Sequence, residues 1–120
     1  MNNIMKGKMG ENVAADYLAR NGYKILMRNY RCRLGEIDIV AERQGTIIFV
    51  EVKTRSSTNF GFPAEAVTQR KQQKIIHAAL CYLRSTGRDN ISFRFDILEV
   101  FVGKDQKLEC NHIVNAFFGR

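Results

Sequence analysis

The chain has 120 residues, 45% hydrophobic and 26% charged, the size and composition of one globular domain rather than of a disordered chain. No run approaches the roughly 18 apolar residues of a membrane span, and Met1-Asn2-Asn3-Ile4-Met5-Lys6 lacks the apolar stretch of a secretory signal, so a cytoplasmic protein without a membrane partner is expected. The formal net charge of +7 favours a polyanionic partner without saying which one.

Residues 1–7 read as a flexible N-terminal tail, and residues 8–120 as a single domain. From Lys8 to Arg20, Met9, Val13, Ala14, Tyr17 and Leu18 recur at helical spacing, and Asn21-Gly22 ends the helix. Tyr23–Tyr30 is strand-like, and Leu34-Gly35 breaks it. Glu36–Glu42 alternates as a strand with one apolar face, Gln44-Gly45 is a turn, and Thr46–Thr54 is a strongly β-branched strand. A Ser/Asn/Gly/Pro-rich loop over 55–63 leads to a helix over Ala64–Arg84, closed by Gly87. Ile91–Val102 is another strand, Lys104-Asp105 a turn, and Cys110–Phe118 a short last strand. The order α-β-β-β-α-β-(β) predicts an α/β domain with a mixed central sheet and flanking helices, one helix supplying the crossover that parallel neighbours require. Cys32, Cys81 and Cys110 are odd in number, widely spaced and without a C-x-x-C pair, which predicts reduced thiols in or near the core rather than disulfides or a zinc site.

The strand Ile47–Lys53 is the most apolar in the chain, yet Glu51 and Lys53 interrupt its far end. Alternation puts both on one face, about 7 Å apart along the strand. A two-residue hairpin at Gln44-Gly45 sets Arg43 opposite Thr46, and therefore Asp38 opposite Glu51 and Glu36 opposite Lys53. Two carboxylates so close repel, and they coexist by sharing a proton or by holding a cation. Oxygen ligands suit magnesium or manganese, with Lys53 beside the cation to orient a water or steady a phosphate. The residues alone leave a second reading open, a surface ladder with Glu36–Lys53 as an ordinary cross-strand pair and Asp38 solvated.

The string Gly35-Glu36-Ile37-Asp38-Ile39-Val40-Ala41, followed by Ile48-Phe49-Val50-Glu51-Val52-Lys53-Thr54-Arg55, resembles the YraN-like family of small bacterial proteins. Gly10-Glu11 with Ala14 and Tyr17-Leu18 is similar to that family's first helix, Asn29-Tyr30-Arg31 to its first strand, and Lys71 through Leu83 to its second helix. The family looks like a branch of the restriction-endonuclease-like, PD-(D/E)xK superfamily, which includes Holliday-junction resolvases. The resemblance implies catalytic roles for Asp38, Glu51 and Lys53, with Asp38, Glu51 and Glu11 holding Mg2+ or Mn2+. The superfamily's pattern has Pro where this chain has Ile37.

Around this set, Glu36, Gln69 and Lys71 are candidates for supporting the site, Glu36 as partner of Lys53 and Lys71 by leaning from its helix toward the sheet. Arg31, Arg33, Arg55, Arg70 and Lys74 are candidate phosphate contacts. His77 and His112 are read as packing or surface residues, and Phe117 and Phe118 as core closure or an oligomer contact. The expected activity is a metal-dependent endonuclease acting on DNA, of repair or recombination type and acting on branched substrates if the resolvase likeness extends that far. DNA stands ahead of RNA through the resemblance alone, and the dimeric resolvases make a homodimer one expected assembly. The alternatives are a non-catalytic nucleic-acid-binding module and a basic adaptor for an acidic protein.

Overall fold

The structure, a computed structural model, describes residues 3–56, 67–103, 105 and 107–118. Its elements are α1 (Asn3–Arg20), β1 (Lys24–Cys32), β2 (Gly35–Arg43), β3 (Thr46–Ser56), α2 (Gln69–Ser85), β4 (Ser92–Val102) and β5 (Leu108–Phe117). The strands form one mixed sheet in the order β1-β2-β3-β4-β5, parallel between β3 and β4 and antiparallel elsewhere. The order expected from the sequence is the order observed, and α2 is the crossover helix. No helix among the described residues is long and apolar enough to cross a membrane.

The β2–β3 hairpin has the local chemistry read from the sequence. Gln44 (φ 50°) and Gly45 (φ 81°) are both left-handed, as a two-residue primed turn requires, and Arg43 pairs with Thr46. Strand β3 lies at the centre of the sheet, and Ile47, Ile48, Phe49 and Val50 are buried on both faces. On one face Ala14 and Leu18 of α1 pack on Ile39, Ala41, Ile48, Val50, Leu98 and Val100. On the other, Ile75, Ala78, Ala79 and Tyr82 of α2 pack on Ile37, Val40, Phe49, Phe95 and Ile97.

Several boundaries differ from expectation. Helix α1 begins at Asn3, so residues 3–7, expected as tail, are helical. Ala14 and Leu18 anchor the helix on the sheet, and an anchored helix propagates into a segment that lacks an apolar stripe of its own. The second helix starts at Gln69, because the Thr68 hydroxyl accepts from the Lys71 backbone N–H (3.2 Å) and caps it there. The expected loop over 57–63 and the expected helical residues 64–66 lie outside the described residues. Strand β3 is two residues longer than expected, so Arg55 is a strand residue; β5 starts two residues earlier and ends one earlier than expected, and Cys81 is exposed while Cys32 and Cys110 are half-buried.

The sheet also buries charges that strand periodicity did not reveal. Asp96 is wholly buried and accepts from Arg94 Nε (3.0 Å), from the Asn115 backbone N–H (3.0 Å) and from His112 Nε2 (2.7 Å). It sits where the β4–β5 register shifts, opposite the irregular step at Asn115 (φ 55°). Glu99 is equally buried, between Arg55 Nε (3.1 Å) and Asn111 Nδ2 (2.9 Å).

Two outcomes follow. A Cβ at Gly35 would collide with the Lys74 backbone carbonyl, so Gly35→Ala should cost about 1–3 kcal/mol in urea unfolding, and an unchanged midpoint would contradict the close approach of α2 to β2. Burial opposes the Asp96 charge, but His112, Arg94 and the Asn115 N–H outweigh it and hold the carboxyl below its ordinary value. Its stabilisation is therefore present above about pH 4 and lost on further acidification. Asp96→Ala should cost about 3–5 kcal/mol at neutral pH and weaken the acid dependence of the unfolding midpoint.

Candidate functional site

The β2–β3 ladder runs from the hairpin to the pair Ile39↔Val50, and there the backbone pairing ends. Just beyond it, Asp38 Oδ2 accepts a 2.8 Å hydrogen bond from the Val52 backbone N–H. A side chain thus replaces the next ladder acceptor, and the strands fork around the Asp38 carboxyl.

Strand β2 turns over at the same residue. Ile39 packs on the α1 face and Ile37 on the α2 face, although residues two apart share a face in a regular strand. On β1, Asn29 (φ 54°) lies between the pairs Arg28↔Ile39 and Tyr30↔Ile37, directly across from the step. A left-handed asparagine is an economical way for a chain to make such a reversal. This residue is the signal that strand-pattern reading passed over.

Both helices reach the fork. Gly10 packs so closely on β3 that a Cβ there would overlap the Thr54 side chain, and this brings Glu11 to the cleft. From α2, Lys71 Nζ comes within 3.2 Å of Glu51 Oε2. Glu11, Asp38, Glu51, Lys53 and Lys71, with Gly7 and Val52, line one cleft of about 400 Å³.

The electrostatics follow from this crowding. Burial, then the hydrogen bond and charge of Glu51, push the Asp38 carboxyl up to about 8, against the Val52 N–H and Lys71. The two carboxyls act as a pair that favours one shared proton. Burial and the Asp38 charge also raise Glu11, against Asn29 and Arg28. Glu11 Oε1 is buried without a hydrogen-bond partner. Burial and the neighbouring Lys71 ammonium lower Lys53. For Lys71, burial works against the charge, but Glu51 overrides it and keeps the ammonium above its ordinary value.

The other sequence candidates lie elsewhere. Glu36 does not reach Lys53: its strand has turned over, and it pairs with Arg31 (3.5 Å) at the exposed β1–β2 edge. Arg31 and Glu36 line a neighbouring cleft of about 460 Å³ with Arg28 and Asn29, and Glu11 is shared by both clefts. Arg55 is held inward by Glu99 rather than standing open to a phosphate. Gln69, Arg70 and Lys74 are exposed on α2, Arg33 is exposed in the β1–β2 turn, and none of them lines either cleft. His112 serves the buried Asp96, and His77 is exposed.

Comparison with known proteins places this arrangement in a family. The model of uncharacterised protein family UPF0102 matches residues 10–100. The chain belongs to that family. It is 49% identical over 113 residues to a UPF0102 protein of Caldanaerobacter subterraneus, covering 92% of this chain and 93% of the relative. A UPF0102 protein of Clostridioides difficile is 48% identical over 117 residues, covering 98% of this chain and all of the relative. One from Syntrophomonas wolfei is 51% identical over 111 residues, covering 92% and 96%. The UPF0102 match spans Glu11, Asp38, Glu51, Lys53 and Lys71.

The raised Asp38 carboxyl makes a stability prediction for this UPF0102 member. The folded protein keeps a proton that the unfolded chain releases near pH 4, so Asp38 lowers stability as pH rises from about 4 to about 8. Asp38→Asn, which mimics the protonated carboxyl, should flatten the pH dependence of the urea midpoint over that window. Parallel pH profiles for the two proteins would rule out a buried Asp38–Glu51 pair.

Proposed function

We propose that this UPF0102 protein is a divalent-metal-dependent nuclease that hydrolyses phosphodiester bonds, DNA ahead of RNA. The observation that carries the reading is the cleft itself, in which Asp38, Glu51 and Lys53 converge with a third carboxylate, Glu11.

The donor set fits a hard dication. It offers carboxylate oxygens, one of them the orphaned Glu11 Oε1, and an ammonium already balances Glu51. Among the described residues no three such groups are close enough to form a ready ligand cluster, so a cation would draw the carboxylates together. Asp38 and Glu51 would hold the ion, with Glu11 in reach from α1. Such an ion supplies Lewis-acid stabilisation of charge on a phosphate oxygen.

The remaining chemistry belongs to the chain. The Val52 N–H fixes one oxygen of Asp38 and leaves the other free to turn toward Glu51. Lys53 extends from the central strand, and burial beside Lys71 eases loss of its proton, so Nζ can take or return a proton at a water beside the phosphate. The net charge of +7 supports a polyanionic substrate, and the second cleft, with Arg28 and Arg31, adjoins the first through Glu11.

The test is cleavage of branched, nicked, single-stranded and duplex DNA, and of RNA, with Mg2+ or Mn2+. Wild type should cut at least one substrate only when the metal is present. Asp38→Ala and Glu51→Ala should each lower the rate by at least about a hundredfold while retaining salt-sensitive binding in gel shifts. Binding indifferent to metal, with no cleavage on any substrate, would instead make the protein a nucleic-acid-binding module.

A further inference from the structure

The cleft is lined by three amines, Lys6, Lys53 and Lys71, as well as three carboxylates, and the two amines nearest the Asp38–Glu51 pair, Lys53 and Lys71, differ in their freedom to move. Lys53 projects from the central strand, paired on one side with β4 and on the other with β2 up to the fork. Lys71 stands in the first turn of α2, where Thr68 anchors its backbone. Its side chain is 45% exposed, while the Glu51 side chain it contacts is only 7% exposed. Lys71 therefore reaches a buried carboxylate from the mouth of the cleft on a flexible four-carbon stem.

A dication between Asp38 and Glu51 would lie next to the Lys71 ammonium. Glu51 Oε2 cannot serve both at full strength, and like charges in a part-buried cleft repel strongly. Lys53 is the less able of the two to withdraw. Lys71 can swing toward solvent at the cost of one ion pair.

We propose that Lys71 is a built-in counter-cation: its ammonium occupies the carboxylate pair when no divalent ion is bound, and metal entry is an exchange of that ammonium for the dication. The inference rests on the reading of Asp38 and Glu51 as metal ligands. The exchange explains how a buried carboxylate pair is tolerated in the metal-free protein, since removing a charge's partner inside a protein is costly. It also gives the displaced ammonium a destination. Lys71 would be left at the cleft mouth, where a phosphodiester bound over the metal accepts it as counter-ion. Metal and substrate then favour one another through a single side chain, each raising the other's affinity by the same factor.

The experiment measures Mn2+ binding by calorimetry in the full chain, without substrate, for wild type, Lys71→Gln and Lys74→Gln. Thermal unfolding first establishes that each variant is folded. Lys74→Gln makes the same charge change about one helical turn away, on a residue outside the cleft. Lys71→Gln should bind Mn2+ at least about tenfold tighter than wild type, and Lys74→Gln within about twofold of it. Introducing Glu51→Gln into the Lys71→Gln protein should abolish the gain. Equal or weaker Mn2+ binding by Lys71→Gln than by wild type overturns the exchange and leaves the metal site standing. An equal gain in Lys74→Gln overturns it as well, by reducing the effect to general charge. Absence of Mn2+ binding in folded wild type and in folded Lys71→Gln overturns the metal reading and this inference together.

Discussion

One hydrogen bond organises the site: the Val52 backbone N–H donates to Asp38 Oδ2 at the point where the β2–β3 ladder stops. A ladder that continued would satisfy Val52 with a backbone carbonyl and leave Asp38 as an ordinary strand side chain. With the carboxyl inserted instead, the strands diverge around a polar group at the end of the sheet's most apolar strand. The polar group is tolerated because it takes the place of the missing ladder carbonyl and accepts from the N–H that the carbonyl would have satisfied. The reversal at Asn29 and Asp38 belongs to the same event, since it takes Ile37 to the α2 face and carries Glu36 away to the exposed edge.

Helices on opposite faces then bring charge to the fork from two directions. Each depends on a close backbone approach, α1 through Gly10 against Thr54 and α2 through Gly35 against Lys74. A methyl group at Gly35 would meet the Lys74 backbone and push α2, with Lys71, off the sheet, and one at Gly10 would crowd the Thr54 side chain beneath α1. The opposite side of the sheet is secured differently. Asp96 with Arg94, His112 and the Asn115 N–H, and Glu99 with Asn111, tie β5 to β4 through buried hydrogen bonds, and the Arg55–Glu99 ion pair ties β4 to β3. The Asp96 carboxyl has its partners inside the protein, whereas Glu99 Oε2, ion-paired with Arg55, accepts no hydrogen bond, and neither does Glu11 Oε1 in the cleft. The cleft differs in also presenting a half-exposed ammonium beside its carboxylates. An open cleft that gathers incompletely satisfied charges is where a ligand can complete the electrostatics.

That contrast separates two kinds of buried acid in one small sheet. Asp96 is held charged by three donors, and its carboxyl lies below the ordinary range. Asp38 faces another carboxylate and has one backbone donor, and its carboxyl is pushed up to about 8. Burial raises both carboxyls; at Asp96 the donors outweigh it, and at Asp38 Glu51 adds to it. A divalent cation at Asp38 and Glu51 would supply the positive charge that Arg94 supplies to Asp96.

The sequence by itself determined the order of elements, the parallel crossover and the hairpin register that sets Asp38 toward Glu51. Those features are local: a left-handed Gln44-Gly45 turn and a period-two pattern specify them within about twenty residues. The same period misled at Glu36, because one left-handed residue on the neighbouring strand reverses the faces beyond it, and no pattern in β2 itself records that. Periodicity also passed over Asp96 and Glu99, since a strand covered on both faces buries every position it offers. The sequence offered Glu11 and Lys71 only as candidates; tertiary structure decided that they enter the cleft, that Arg55 turns inward, and that Gln69, Arg70 and Lys74 stay outside it. Those outcomes depend on how closely two helices approach the sheet. That distance is set by contacts between residues 39 or more apart in the chain, Gly10 with Thr54 and Gly35 with Lys74, which no local periodicity encodes.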